Sequence, residues 1–450
     1  MPDANSTGAD NSTGADNSFG AANSSGAGIT RRQAALVDEL FANGSLTRPE
    51  VAAAFLDVPR HLFLPGLPVD DVYRDESIPT KFEAGQAISS SSQPAIMAIM
   101  LEQLALAPGQ RVLEIGAGTG YNAALLGRLV GPRGRVVTLD IDADIVAQAQ
   151  AHLAAAGSAN VQAICSDGGL GYPDAAPYDR IILTVGAWDI APAWYDQLEP
   201  GGRLVLPLAL GPGPQISVAL IRAASGAEPR FESQSVRDCG FMRLRGEFAG
   251  PERSLAIGVE PGLTLTLVGE LPVAAEQLYD WLASSSTDWA SGVRARQREL
   301  WGSQWLGSNL PGLCSLQAEG IWASRDLVPC LFDVASRRPI CSTAGIVASD
   351  GLALLGRLRD GDRAAPRTQE PDNQPFELFI RGYGSGSGPV QQLLSVLAAW
   401  DDAGRPANSS LRLRVYGSGV PYAAVPGEVV VAKRWTSLII DWPGQAPASR

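Results

Sequence analysis

The chain has 450 residues, with 35 Lys and Arg against 47 Asp and Glu, for a formal net charge of −12. That length can bury sizeable cores, and an acidic chain with no Lys/Arg cluster is a poor match for a nucleic-acid groove. No apolar run reaches membrane-spanning length and no basic-then-apolar leader opens the chain, so the expectation is a cytoplasmic protein with no membrane partner.

Met1 to Thr30 is low in complexity, with a recurring Gly-Ala-(Asp/Ala)-Asn-Ser unit and almost no apolar surface. Such a segment cannot offset its ordering entropy, and a disordered tail over 1–30 is expected. Arg31 to Phe63 is helical in pattern, with Leu36, Val37, Leu40 and Phe41 on one face and Val51, Ala54 and Phe55 beginning another. A polar loop follows, and Pro94 to Ala105 reads as a helix. Val112-Leu-Glu-Ile115 is a short buried strand, Tyr121 to Val130 a helix, and Arg135 to Leu139 a second strand closed by Asp140. Ile145 to Ala156 is helical and carries His152; strands follow at 161–165, 178–184, 203–208 and 216–221. Alternating strands and helices predict an α/β fold, a mainly parallel sheet with helices on both faces and a ligand at the strands' carboxyl ends.

Gly116, Gly118 and Gly120, between the first strand and its helix, let the backbone turn sharply and approach a ligand closely. The spacing is G-x-G-x-G, and bulky Tyr121 occupies the position a dinucleotide site would reserve for glycine. Glu114 stands two residues before the first glycine, where it could bond loop amides or help hold a cationic, phosphate-free ligand. Asp140 could accept from ribose hydroxyls. These details favour S-adenosyl-L-methionine over NAD. Asp167-Gly168, after the third strand, falls at the same sheet end; Asp167 either accepts from the adenine amine or caps its own loop.

Only His61 and His152 are present, so Ser–His–Asp hydrolysis and multi-histidine metal chemistry are unsupported, and no metal is expected. Cys165, Cys239, Cys314, Cys330 and Cys341 are scattered without a C-x-x-C pair and read as buried thiols, not as a disulfide framework. Beyond Gly250, Val273 to Leu282 looks helical, Gly345 to Leu355 reads as a hairpin turning at Asp350-Gly351, and 390–403 as a helix. With strands at 376–381, 411–416, 429–432 and 438–440 these make an α+β module over 251–450. Arg359 to Pro375 is a polar loop. Trp281, Trp289, Trp301, Trp305 and Trp322 either line a peptide groove or fill a core.

Five segments in order carry a family resemblance: 55–65 (FLDVPRHLFLP), 85–94 (GQAISSSSQP), 112–121 (VLEIGAGTGY), 166–172 (SDGGLGY) and 198–207 (LEPGGRLVLP). Together they resemble protein-L-isoaspartate O-methyltransferase over roughly residues 31–250. The resemblance implies a class I methyltransferase fold, S-adenosyl-L-methionine as donor and an aspartyl-type carboxylate of a peptide as acceptor. Members of that family usually read Gln-Thr-Ile-Ser-Gln-Pro, whereas here Ser90, Ser91 and Ser92 intervene between Ser89 and Gln93. The family's active-site serine therefore matches Ser89 or Ser92, depending on the anchor. The inserted serines and the C-terminal extension resemble the FxLD-system, lanthipeptide-associated branch, which implies a modified precursor peptide as partner. The sequence leaves the oligomeric state open.

The implied chemistry suits the composition. A carboxylate is already ionised at neutral pH. Its oxygen bonds the methyl carbon as the carbon–sulfur bond breaks, and that electron pair stays on sulfur, so no general base is needed. Opposite charges vanish on the way, so neutral hydroxyl donors suit the site better than an arginine clamp on the reacting carboxylate. Ser89 to Ser92 would supply them from the loop entering a helix, unless Ser92 merely caps that helix. The resulting methyl ester can close to a succinimide. A general repair enzyme and a non-catalytic donor-binding scaffold are the alternatives.

Overall fold

The computed structural model describes residues 26–83, 86–258, 262–300, 303–310, 312–324, 327–334, 340–358 and 374–443. Residues 1–25 of the expected tail, Trp301 and 359–373 of the expected polar loop lie outside these. The first helix, α1 (Gly26–Ala42), begins inside the segment read as tail, because Gly28 and Gln33 are already buried in its first turns. It packs with α2 (Pro49–Asp57). The polar loop and serine run expected next are instead an antiparallel hairpin, β1 (Ile78–Glu83) and β2 (Gln86–Ser91), with Ser91 opposite Ile78. Helix α3 (Pro94–Leu104) follows; Asp75 caps it by accepting from the Ala95 amide at 2.8 Å, so Ser92 is not its cap.

The alternating segment forms β3 (Arg111–Ile115), α4 (Tyr121–Val130), β4 (Arg135–Asp140), α5 (Ala143–Ala155), β5 (Val161–Cys165), β6 (Tyr178–Leu183), α6 (Pro192–Gln197) and β7 (Leu198–Leu208). These strands pair in parallel in the order β5-β4-β3-β6-β7. Then β8 (Gln215–Arg222) and β9 (Phe231–Cys239), the latter not anticipated, add in antiparallel fashion. The fold is the class I methyltransferase α/β fold. Among the described residues, no helix is long and apolar enough to cross a membrane.

The remaining chain builds β10 (Glu252–Ala256), β11 (Leu263–Val268), α7 (Ala275–Ala283), β12 (Thr287–Ala295), β13 (Leu313–Glu319), β14 (Phe332–Val334), β15 (Ile340–Val347), β16 (Gly351–Leu358), β17 (Phe376–Gly384) and α8 (Gly388–Asp402). Its strands form a second sheet in the order β10-β11-β13-β15-β16-β17-β12, with β14 beside β15. The hairpin at Asp350-Gly351 is β15–β16, pairing Val347 with Leu352. The last strands, β18 (Arg412–Gly417), β19 (Val429–Ala432) and β20 (Thr436–Asp441), return to the first sheet, where β18 pairs with β9. That sheet therefore has ten strands, only one side of it parallel.

Helices α1 to α5 cover one face, burying Leu40, Phe55, Leu101 and Leu126 against Val112 and Val136. On the other face, α6 is joined by the C-terminal module: Leu378, Leu393 and Trp400 share one core with Leu113, Ile181 and Leu204. Each such side chain, fully buried, contributes about 1.5–3 kcal/mol, so the two parts of the chain stabilise each other. Pairing of β14 with β15 sets Cys330 and Cys341 at a Cα separation of 5.3 Å, and they form a disulfide, correcting the expectation of five thiols. Trp281 and Trp322 belong to one core and Trp289 and Trp305 to another, so no aromatic groove forms from them.

Candidate active site

A cavity of about 340 Å³ opens at the carboxyl ends of the parallel strands, between the glycine loop, the serine strand and residues 238–245. Gly116, Gly118 and Gly120 have φ of +103°, +49° and +86°, values that side-chain-bearing residues rarely adopt. Gly116 also lies so close to β6 that a Cβ would meet Thr184 Oγ1 at 2.6 Å. Thr184 donates to the Gly116 carbonyl at 2.6 Å, and His152 Nδ1 lies 3.0 Å from the Thr119 carbonyl. Both brace the loop from outside it. Neither is visible as a site residue in sequence, because their partners lie far along the chain.

Asp140 ends β4 on the cavity wall. Burial raises its pKa, while the Gly118 and Asp142 amides, donating at 3.1 and 3.2 Å, favour the ionised form. This carboxylate at the cavity wall, beside open glycine backbone, could hold a ribose diol. Gly168 also lines the cavity and fits tightly, since a Cβ there would fall 2.3 Å from Ile115 Cγ2. The cavity and its donors and acceptors fit an adenosyl group.

Two sequence-named carboxylates are used otherwise. Glu114 is fully buried and does not line the cavity; its oxygens accept from Thr138 Oγ1 at 2.6 Å and Asn122 Nδ2 at 2.7 Å, not from loop amides. Burial pushes its pKa up to about 7 against those two hydrogen bonds. It ties β3 to β4 and to α4, beneath the loop. Asp167 accepts from the Gly169 amide at 2.9 Å and the Glu247 amide at 3.0 Å, so it caps its own loop and anchors another; it is not among the cavity-lining residues.

All four serines, Ser89 to Ser92, line the cavity. Ser89 is buried and its Oγ accepts from Thr80 at 3.2 Å, which leaves its own proton to donate elsewhere. Ser91 accepts from Arg60. Arg60, with 0% exposure, lies beneath this strand; its Nη2 donates to Ser91 Oγ, the Ser92 carbonyl and the Glu76 carbonyl, and its guanidinium sits 5.7 Å from the Tyr121 ring centre. Burial lowers its pKa. The hairpin is held over the glycine loop by Lys81, which pairs with Asp142 at 3.1 Å and Asp144 at 2.7 Å, while Arg245 pairs with Asp142 at 2.7 Å. The hydrogen bond from Arg245 leads in keeping the Asp142 carboxyl below the usual range. None of Arg60, Lys81, Asp142 or Arg245 stood out in sequence; only the Pro-Arg-His motif around Arg60 offered a signal.

A family model described as "Protein-L-isoaspartate(D-aspartate) O-methyltransferase (PCMT)" matches residues 31–247. The protein-L-isoaspartate O-methyltransferase of Ignicoccus hospitalis is 40% identical over 195 residues, 43% of this chain and 90% of its own. That of Methanoregula boonei is 40% identical over 213 residues, 47% of this chain and 92% of its own. A solved structure described as protein-L-isoaspartate O-methyltransferase aligns with 90% of this chain and 98% of its own, at 22% identity and a TM-score of 0.46.

Proposed function

The chain belongs to the protein-L-isoaspartate O-methyltransferase family and is an S-adenosyl-L-methionine-dependent enzyme of that kind, and from that premise we propose that its acceptor is an aspartyl-type carboxylate in a ribosomally made, cyclised peptide. The observation that carries the reading is the single cavity shared by the glycine loop and the serine strand. S-adenosyl-L-methionine supplies an electrophilic methyl group. Asp140 would bind the ribose, and the glycine loop would receive the rest of the donor. Ser89, its oxygen already occupied by Thr80, would donate to the acceptor carboxylate and orient it; Ser92 is the other candidate. Neutral donors fix direction without over-stabilising an anion whose charge is about to be lost. Arg60 keeps its charge one layer back, bracing the strand.

A dedicated acceptor is supported by a contact between the cavity wall and the second sheet, which lies beyond residues 31–247 matched by the family model. The Ignicoccus and Methanoregula alignments take in less than half of this chain but about nine-tenths of each relative, and Glu252, which begins the additional sheet, pairs with Arg243 on the cavity wall. General repair of isoaspartyl proteins is the second reading, favoured by the names those relatives carry. Incubation of the full chain and methyl-labelled donor with a cyclised aspartyl peptide, a linear isoaspartyl peptide and aged unrelated protein separates the two. The expected outcome is one methyl gained, then methanol lost, on the cyclised peptide alone; preferential labelling of the linear peptide and aged protein establishes repair instead.

A further inference from the structure

Four charged residues line the cavity: Asp140, Asp238, Arg243 and Arg245. Three are occupied. Asp140 accepts from the Gly118 and Asp142 amides, Asp238 accepts from Asn408 Nδ2, and Arg245 is bound by Asp142. Arg243 differs. The two arginines are similarly exposed, 44% for Arg243 and 40% for Arg245, but Arg245 places both Nη1 and Nη2 on Asp142, whereas Arg243 pairs through Nη1 with Glu252, whose side chain is 3% exposed. Its backbone is fixed as well: residue 243 bridges Gly186, and Leu244 N donates to the Gly186 carbonyl at 2.8 Å while Gly186 N donates to the Met242 carbonyl at 2.7 Å. An arginine fixed at its backbone and at Nη1, with further N–H groups available, is pre-ordered for an anion.

Building on the methyl-transfer reading above, we infer that Arg243 is a specificity residue that contacts an acidic side chain adjacent to the methylated residue of the acceptor peptide, and that Glu252 of the C-terminal sheet is the positioning residue that holds it there. The reacting carboxylate itself is the wrong partner for this cation. Its charge disappears during transfer, so a cation bound to it would stabilise the ground state more than the transition state. A second, non-reacting carboxylate keeps its charge throughout, and binding it lowers KM without that penalty. Glu252 serves the same end by offsetting the positive charge near the reacting group. Through this pair, the C-terminal module reaches the acceptor without touching the donor.

The test uses the full chain and paired short peptides, both linear isoaspartyl and cyclised aspartyl, made with either Glu or Gln beside the acceptor residue. In the format that is labelled, the wild-type protein is expected to favour the Glu peptide by about tenfold in kcat/KM, carried by KM, as one charge-assisted contact allows. R243Q should bring the ratio to about one, R243K should restore part of the preference, and E252Q should reduce it. The wild-type preference should also shrink as ionic strength rises, a readout that needs no variant. Equal use of both peptides by the wild-type protein, or a preference that survives in R243Q, overturns the inference. No labelling of any peptide overturns the proposed reaction, and this inference with it; labelling without discrimination overturns the inference alone.

Discussion

Arg60 Nη2 lies 3.0 Å from the carbonyl oxygen of Ser92, a bond that spans 32 residues and joins buried Arg60 of the Pro-Arg-His turn to the end of the serine strand. The same nitrogen reaches Ser91 Oγ at 3.3 Å, so one guanidinium sets the height of the strand over the cavity. Replacing it with an apolar side chain of similar length removes both the brace and the cost of a buried charge. R60M is therefore expected to hold its melting free energy within about 1 kcal/mol while kcat drops roughly tenfold. Chemical denaturation and single-turnover methyl transfer check the two halves; an unchanged kcat would mean that the β1–β2 pairing alone positions the serines.

Ser89 and Ser92 are separable by mutation. A hydroxyl bonded to a charged group contributes about 1.5–3 kcal/mol, so S89A should lower kcat/KM by about 10- to 100-fold with donor affinity intact. S92A should cost less than a factor of about three, because the contact that fixes this residue runs through its carbonyl. The reverse order would assign the acceptor contact to Ser92.

Asp140 is expected to act on the donor alone. D140A removes the acceptor for the Gly118 and Asp142 amides together with the proposed ribose contact. Calorimetric titration should find S-adenosyl-L-methionine bound about 10- to 100-fold more weakly, the loss of one or two charge-assisted bonds. Unchanged affinity would place the adenosyl group elsewhere.

Glu114 and Lys433 predict pH effects of opposite sign. The pKa of Glu114 is raised to about 7, so between the ordinary carboxyl range and pH 7 the folded protein holds a proton the unfolded chain has released. Its share of stability is complete at low pH and is lost as pH rises through 7. E114Q should remove that slope. E114A should destabilise by about 2–4 kcal/mol, having left Thr138 and Asn122 without their partner.

Lys433, buried with Nζ donating to the Ala209 and Leu210 carbonyls and 3.1 Å from the Trp188 ring centre, is lowered by burial to about 7. Here the unfolded chain binds more protons between pH 7 and the ordinary lysine range, so this group makes stability increase with pH across that window, by at most about 1.4 kcal/mol per pH unit. Denaturant midpoints measured from pH 7 to 10 should rise more steeply in the wild-type protein than in K433M.

What the sequence determined by itself is local. Apolar periodicity marked β3, α4 and β4, and the glycine spacing marked a loop that only residues without a side chain can form, because both signals are written in neighbouring positions. The same is true of Asp140, which follows its strand directly. Tertiary structure decided which of the partners open to the other polar groups they take. Glu114 and Asp167 have the residue type and position of ligand contacts, yet each spends its oxygens on protein donors, Thr138 and Asn122 for one, Gly169 and Glu247 for the other. The brace by Arg60 and the return of β18 to pair with β9 likewise join segments that the chain order keeps apart. A buried polar group takes whichever partner the packed fold brings within about 3 Å, and spacing along the chain does not encode that distance.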